Sequence, residues 1–190
     1  MQGYEFPYSV ANCISRLTGW RAALATVVGA ALTAASAQVC FYLPGNPVPV
    51  TFQVFAVALC GMLLGPRLAA VSQMEYLVAG VLGLPVFAGF RCGMSALAGP
   101  TGGYLVAFVP AAYVIGFLAW RFTGSLAGLA AAGFTGVAVI YTLGRAWLAI
   151  WLGDVNSLNS WILGVLPFVG LDLVKVTIAA LACRRLLWKH

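Results

Sequence analysis

The sequence predicts an all-α membrane protein with six transmembrane helices and both chain ends on the cytoplasmic side. Three observations carry that expectation. The chain is 63% hydrophobic and only 7% charged, with a mean hydropathy of +1.00, whereas soluble domains carry about 25% charged residues. Its apolar residues gather into six stretches divided mostly by Gly and Pro. Its basic residues fall preferentially in the segments that would share one side of a membrane. At about 20 residues per span, residues 1–190 form a single integral membrane unit.

The stretches run 22–42, 50–64, 68–85, 103–120, 125–150 and 167–187. Arg16 and Arg21 precede the first, and "ASA" at 35–37 has the look of a signal-peptide cleavage site. The apolar run continues past Gln38 into "VCFYL", so a retained helix is expected. This helix carries small residues at four-residue spacing, Ala30 with Ala34 and Ala31 with Ala35. Such faces let another helix approach closely, and spacing leaves open whether that helix belongs to this chain or to a partner.

The second stretch is short for a span, which calls for tilt or for continuation by an ordered loop. "LPGNPVPV" at 43–50 precedes it and "GPR" at 65–67 separates it from the third, while "GLPVFAGF" and "AGPTGG" lead from the third to the fourth. Residues 151–166 read as an outer loop with a short interfacial helix, where Trp151 and Trp161 suit the headgroup level. Pro167 suits the first turn of the last helix.

With six spans, Arg16, Arg21, Arg67, Arg121, Arg184, Arg185 and Lys189 share the inner side, and the outer loops hold Arg91 and Asp154. That asymmetry sets both termini inside. The net charge of +6 is therefore a matter of topology, and nucleic acid is not an expected partner. Catalysis finds little support. The single histidine is His190, the sequence has no G-x-x-x-x-G-K-[ST] loop, and no C-x-x-C pair occurs among its five cysteines. No metal or cofactor is expected. Cys40 and Cys92 fall near the same outer face, which leaves a disulfide between them open.

Ionisable residues inside a bilayer cost a few kcal/mol each, so each is a candidate for function. They are Glu75, Arg145, and the pair Asp172 and Lys175 in "PFVGLDLVKVTIAALAC" at 167–183. Asp172 falls about one turn into the last helix, where the positive helix end favours a carboxylate. Lys175 follows three residues later on the same face. Spacing alone allows two readings, a self-neutralising ion pair or the polar floor of a pocket open to the outside. Glu75 and Arg145 could pair with each other or form a second polar layer.

Six segments in order, "ALTAASAQ" at 31–38 preceded by Ala30, "PVPVTFQ" at 47–53, "LLGPR" at 63–67, "YLVAGVLGLPVFAG" at 76–89, "GPTGGYL" at 99–105 and "DLVK" at 172–175, resemble the BioY family. BioY proteins are biotin-capturing S components of energy-coupling-factor (ECF) transporters. The resemblance implies the six-helix S-component fold in the cytoplasmic membrane, with biotin as transported substrate near the outer face and "LPGNPVPV" as a cover. It implies that Asp172 and Lys175 lie in the biotin site and that Ala30, Ala31, Ala34 and Ala35 dock a transmembrane T component joined to two ATPases. A solitary or oligomeric mode stays open. Around that pair, Arg91 could meet the biotin carboxylate or be a solvated loop charge, Phe87 and Tyr104 could wall the pocket or serve as aromatic packing alone, Thr51 and Gln53 could hold the lid, and Glu75 could add a polar group. Competing readings are capture of another vitamin, such as thiamin or riboflavin, and a six-helix channel.

Overall fold

A computed structural model describes residues 19–122, 125–153 and 158–187. Helix α1 (Trp20–Gln38) leads into a small antiparallel ribbon, β1 (Cys40–Phe41) paired with β2 (Val50–Thr51). Helix α2 (Gln53–Val81) follows, then a 3-10 turn (Ala88–Phe90) and the short α3 (Met94–Ala98). The long helices α4 (Gly102–Arg121) and α5 (Leu126–Trp151) precede α6 (Leu158–Gly164) and α7 (Leu166–Leu187). Arg16, Asp154, Lys189 and His190 lie outside the described residues.

The two stretches expected at 50–64 and 68–85 form one α2 that doubles back on itself. Gly65 breaks its helical geometry with φ 77° and ψ 178°, and Pro66 follows. A glycine tolerates that positive φ where a side chain would strain, and a Cβ there would also run into the Trp120 ring. The legs are antiparallel, because the Gln53 side chain reaches Tyr76 with Nε2 donating to the hydroxyl at 2.7 Å. The first leg falls short of a bilayer at about 1.5 Å per residue, and the β1–β2 ribbon continues it as ordered chain. That ribbon is why the expected helix start at 50 moves to Gln53. The first helix likewise ends at Gln38 instead of 42, since the chain turns into β1.

Five helical stretches are long and apolar enough to cross a membrane, α2 among them. Counting its two legs, the described residues make six passes. Close helix approach rests on missing side chains. Gly116 packs on the backbone of Gly65 and Pro66, Gly136 on Ile115, and Gly133 on Val176 and Met62. Such small-residue contacts are how helices gain packing in a solvent as apolar as themselves. Large apolar side chains such as Val28, Val106, Phe117, Val174 and Ile178 cover the outside, which suits lipid. The α2 turn, Arg67, and Arg184 with Arg185 in the last turn of α7 lie at the end of the bundle away from the ribbon.

Candidate functional site

At the ribbon end the helices part around a cavity whose empty space, open solvent at the mouth included, is about 650 Å³. Its polar groups include Thr51, Gln53, Arg91, Tyr141, Asp172 and Lys175. Between the Asp172 end and Arg91 the wall is apolar and aromatic, with Val54, Phe87, Phe108, Ile140 and Phe168.

Asp172 is 3% exposed and Lys175 8%. Lys175 Nζ lies 2.6 Å from Asp172 Oδ1 and donates a second hydrogen bond to the Thr51 carbonyl at 2.7 Å. The helix face predicted from three-residue spacing is therefore real, and it meets the ribbon directly. The other carboxylate oxygen, Oδ2, accepts from the Tyr141 hydroxyl at 2.8 Å. Both oxygens thus hold a donor and still have lone pairs free. A buried ion pair repays its desolvation only when its remaining groups are satisfied, and here the surrounding elements supply that.

The other predicted residues divide. Thr51 Oγ1 donates to Gln53 Oε1 at 3.0 Å, and Gln53 passes the network to Tyr76, whose hydroxyl donates to the Val86 carbonyl. Phe87 is edge-on to Tyr76, with ring centroids 5.5 Å apart, and sits over Gly80. Tyr104 lines the cavity with its ring in the space left by Gly144, and its hydroxyl donates to the Gly164 carbonyl at 2.8 Å. Arg91 stands exposed at the mouth, donating from Nε to the Ala88 carbonyl and from Nη2 to the Tyr42 hydroxyl at 3.2 Å.

Glu75 is not among the residues lining the cavity. It turns toward α1, where Oε1 accepts from the Thr26 hydroxyl at 2.8 Å. Nor does it meet Arg145, whose Nε donates to Ser160 Oγ and whose guanidinium lies 4.5 Å from the Trp161 ring centre. Cys40 and Cys92 are both free thiols. On α1, Ala31 and Ala35 are exposed while Ala30 and Ala34 are half-buried against the bundle, so the two alanine pairs do not share one environment. Residue patterns missed Tyr141. The available signal was a phenol well inside an α5 sequence built of Ala, Gly, Leu and Val, where its hydroxyl needs a partner.

These features define a class: a multi-pass membrane protein with a cavity between its helices at one end. The sequence profile of the BioY family matches residues 11–190. The chain belongs to that family. It is 42% identical over 158 residues to a probable biotin transporter BioY of Pyrococcus horikoshii, covering 82% of this chain and 90% of that protein. It is 42% identical over 144 residues to the biotin transporter BioY of Thermotoga maritima, covering 76% and 83%. The crystal structure of the S component for biotin from an ECF-type ABC transporter superimposes with a TM-score of 0.80 at 25% identity, over 87% of this chain and 90% of that one. The architecture is therefore the ECF S-component fold.

Proposed function

We propose that this chain captures biotin in the cavity and carries it across the cytoplasmic membrane as the substrate-specific component of an ECF transporter. The observation that carries the reading is the satisfied Asp172–Lys175 pair at the closed end of a cavity whose mouth holds Arg91. Biotin has the complementary order of groups: a ureido ring with two N–H donors and a carbonyl, an apolar thioether ring, and a tail ending in a carboxylate. Asp172 accepts from one ureido N–H as a charge-assisted acceptor, and Lys175 donates to the ureido oxygen beside it. The aromatic wall holds the thioether ring and tail, and Arg91 meets the carboxylate. Thr51 and Gln53 keep the ribbon over the site.

The positive-inside rule turns the cavity outward, because Arg67, Arg184 and Arg185 lie at the far end. Biotin is cargo and no cofactor takes part. The protein is a transport subunit without a nucleotide-binding motif of its own, so the work comes from ATPases through a T component. The exposed Ala31 and Ala35 face, with Ala30 and Ala34 behind it, is its docking surface.

A thermal-shift panel of biotin, thiamin and riboflavin on the detergent-purified protein tests the substrate. A ligand at 100 times its Kd adds about 2.7 kcal/mol to stability, so biotin alone should raise the midpoint. A rise with thiamin or riboflavin and none with biotin would overturn the assignment.

A further inference from the structure

Asp172 is held from two directions. Lys175 lies on the same helix and engages Oδ1, whereas Tyr141 reaches across from α5 and engages Oδ2. The difference matters because the terminal torsion of an aspartate is soft and roughly two-fold. Lys175 is itself tied to the Thr51 carbonyl of the ribbon, but a single donor on Oδ1 still leaves the carboxylate plane free to turn about that bond. A second donor on the opposite oxygen, anchored in another helix, fixes that plane. Tyr141 is half-buried, and its own position lies between Ile140, a cavity-lining residue that is 2% exposed, and the α5 residues beyond.

Among the described residues, the Tyr141 hydroxyl is the group from another helix that bonds this carboxylate. With its hydrogen committed to Asp172, it also prevents the acid from turning both oxygens toward Lys175. The lone pairs left open are then held in one plane, ready for a ring N–H donor that lies in it. Groups prearranged in this way gain affinity because ordering them costs nothing at the moment of binding.

We infer that Tyr141 is a positioning residue that fixes the Asp172 carboxylate plane, and so sets the selectivity of the cavity for a ring N–H donor that lies in that plane. The inference rests on the biotin reading above and adds to it a residue that acts through Asp172.

The test is a double-mutant cycle in biotin affinity, measured by titration calorimetry on the purified full chain. Tyr141→Phe keeps the ring and removes the hydroxyl, and should weaken biotin binding about 10-fold, the range for a hydrogen bond to a charged group. In an Asp172→Ala background, which leaves the hydroxyl no group at position 172 to bond, the same change should cost less than about 2-fold, since the coupling between contacting residues is gone. Equal losses in both backgrounds, or no loss in either, would overturn the inference.

A second ligand makes the result independent of how much of each variant folds. Of the two biotins methylated on one ureido nitrogen, the one that binds wild type more weakly keeps the bicycle and tail but has lost the donor that meets Asp172. The ratio of biotin to methylated-biotin affinity should shrink several-fold in Tyr141→Phe; an unchanged ratio would mark a merely structural role. Failure of the wild-type protein to bind biotin would sink the proposed function. Wild-type binding with an unaffected Tyr141→Phe variant would sink the role of Tyr141 alone.

Discussion

Two carboxylates sit within this bundle, and their surroundings differ more than their sequence contexts. Asp172 has a donor on each oxygen, a cationic neighbour at 2.6 Å and a cavity beside it. Glu75 has the Thr26 hydroxyl on one oxygen, while Oε2 is buried without a partner, as is Ser72 Oγ one turn earlier. In an apolar run both acids carry a similar insertion cost of a few kcal/mol, so cost alone ranks them equally. What separates them is whether neighbouring elements converge on the charge. Asp172 is met by α5 and α7, with the ribbon bonding its partner Lys175; among the described residues Glu75 is met by α1 alone.

The comparison breaks most visibly at Asp172. Asp172→Asn should weaken biotin binding by roughly 10- to 100-fold, as a lost hydrogen bond to a charged group costs about 1.5–3 kcal/mol. Titration against wild type checks it. Unchanged affinity with a lower yield of folded protein would return the Asp172–Lys175 pair to a self-neutralising role. Arg91 should matter less because it is exposed at the mouth, where ion pairs contribute about 0.2–1 kcal/mol. Arg91→Ala should therefore cost roughly 2- to 5-fold for biotin and nothing for biotin methyl ester. Equal losses for acid and ester would remove Arg91 from carboxylate recognition and leave it as the partner of Tyr42.

Much of this was legible in the sequence, for reasons that can be stated residue by residue. Apolar runs report lipid-facing helices directly, and four of the six expected stretches match α1, α4, α5 and α7 to within a few residues. Asp172 and Lys175 could be placed on one face because helix geometry alone relates residues three apart. Contacts between distant segments were not legible. The fold of α2 at Gly65 depends on Trp120 and Gly116 from α4. Similarly, the donor that Tyr141 offers Asp172 comes from 31 positions away. Glu75 looked like a site residue because burial in a helix could be read from its neighbours, whereas the direction it faces could not.

The smallest effect is expected at Glu75, and it bears most directly on the contrast. In Glu75→Gln the amide oxygen can still accept from Thr26, and the amide nitrogen takes the place of an oxygen that has no partner now. Ser72 Oγ, on the same face one turn earlier and also without a partner, offers that nitrogen an acceptor. Removing a charge from between membrane helices at no loss of hydrogen bonding should hold or raise the thermal midpoint. Biotin affinity should stay within about 2-fold, less than the effect of any single hydrogen bond to a charge. Thr26 has a fallback as well, since its hydroxyl also lies 3.0 Å from the Ala23 carbonyl. If Glu75→Gln instead removed biotin binding while the fold survived, the α1–α2 seam would have to be coupled to the cavity. The two carboxylates would then belong to one site despite facing different neighbours.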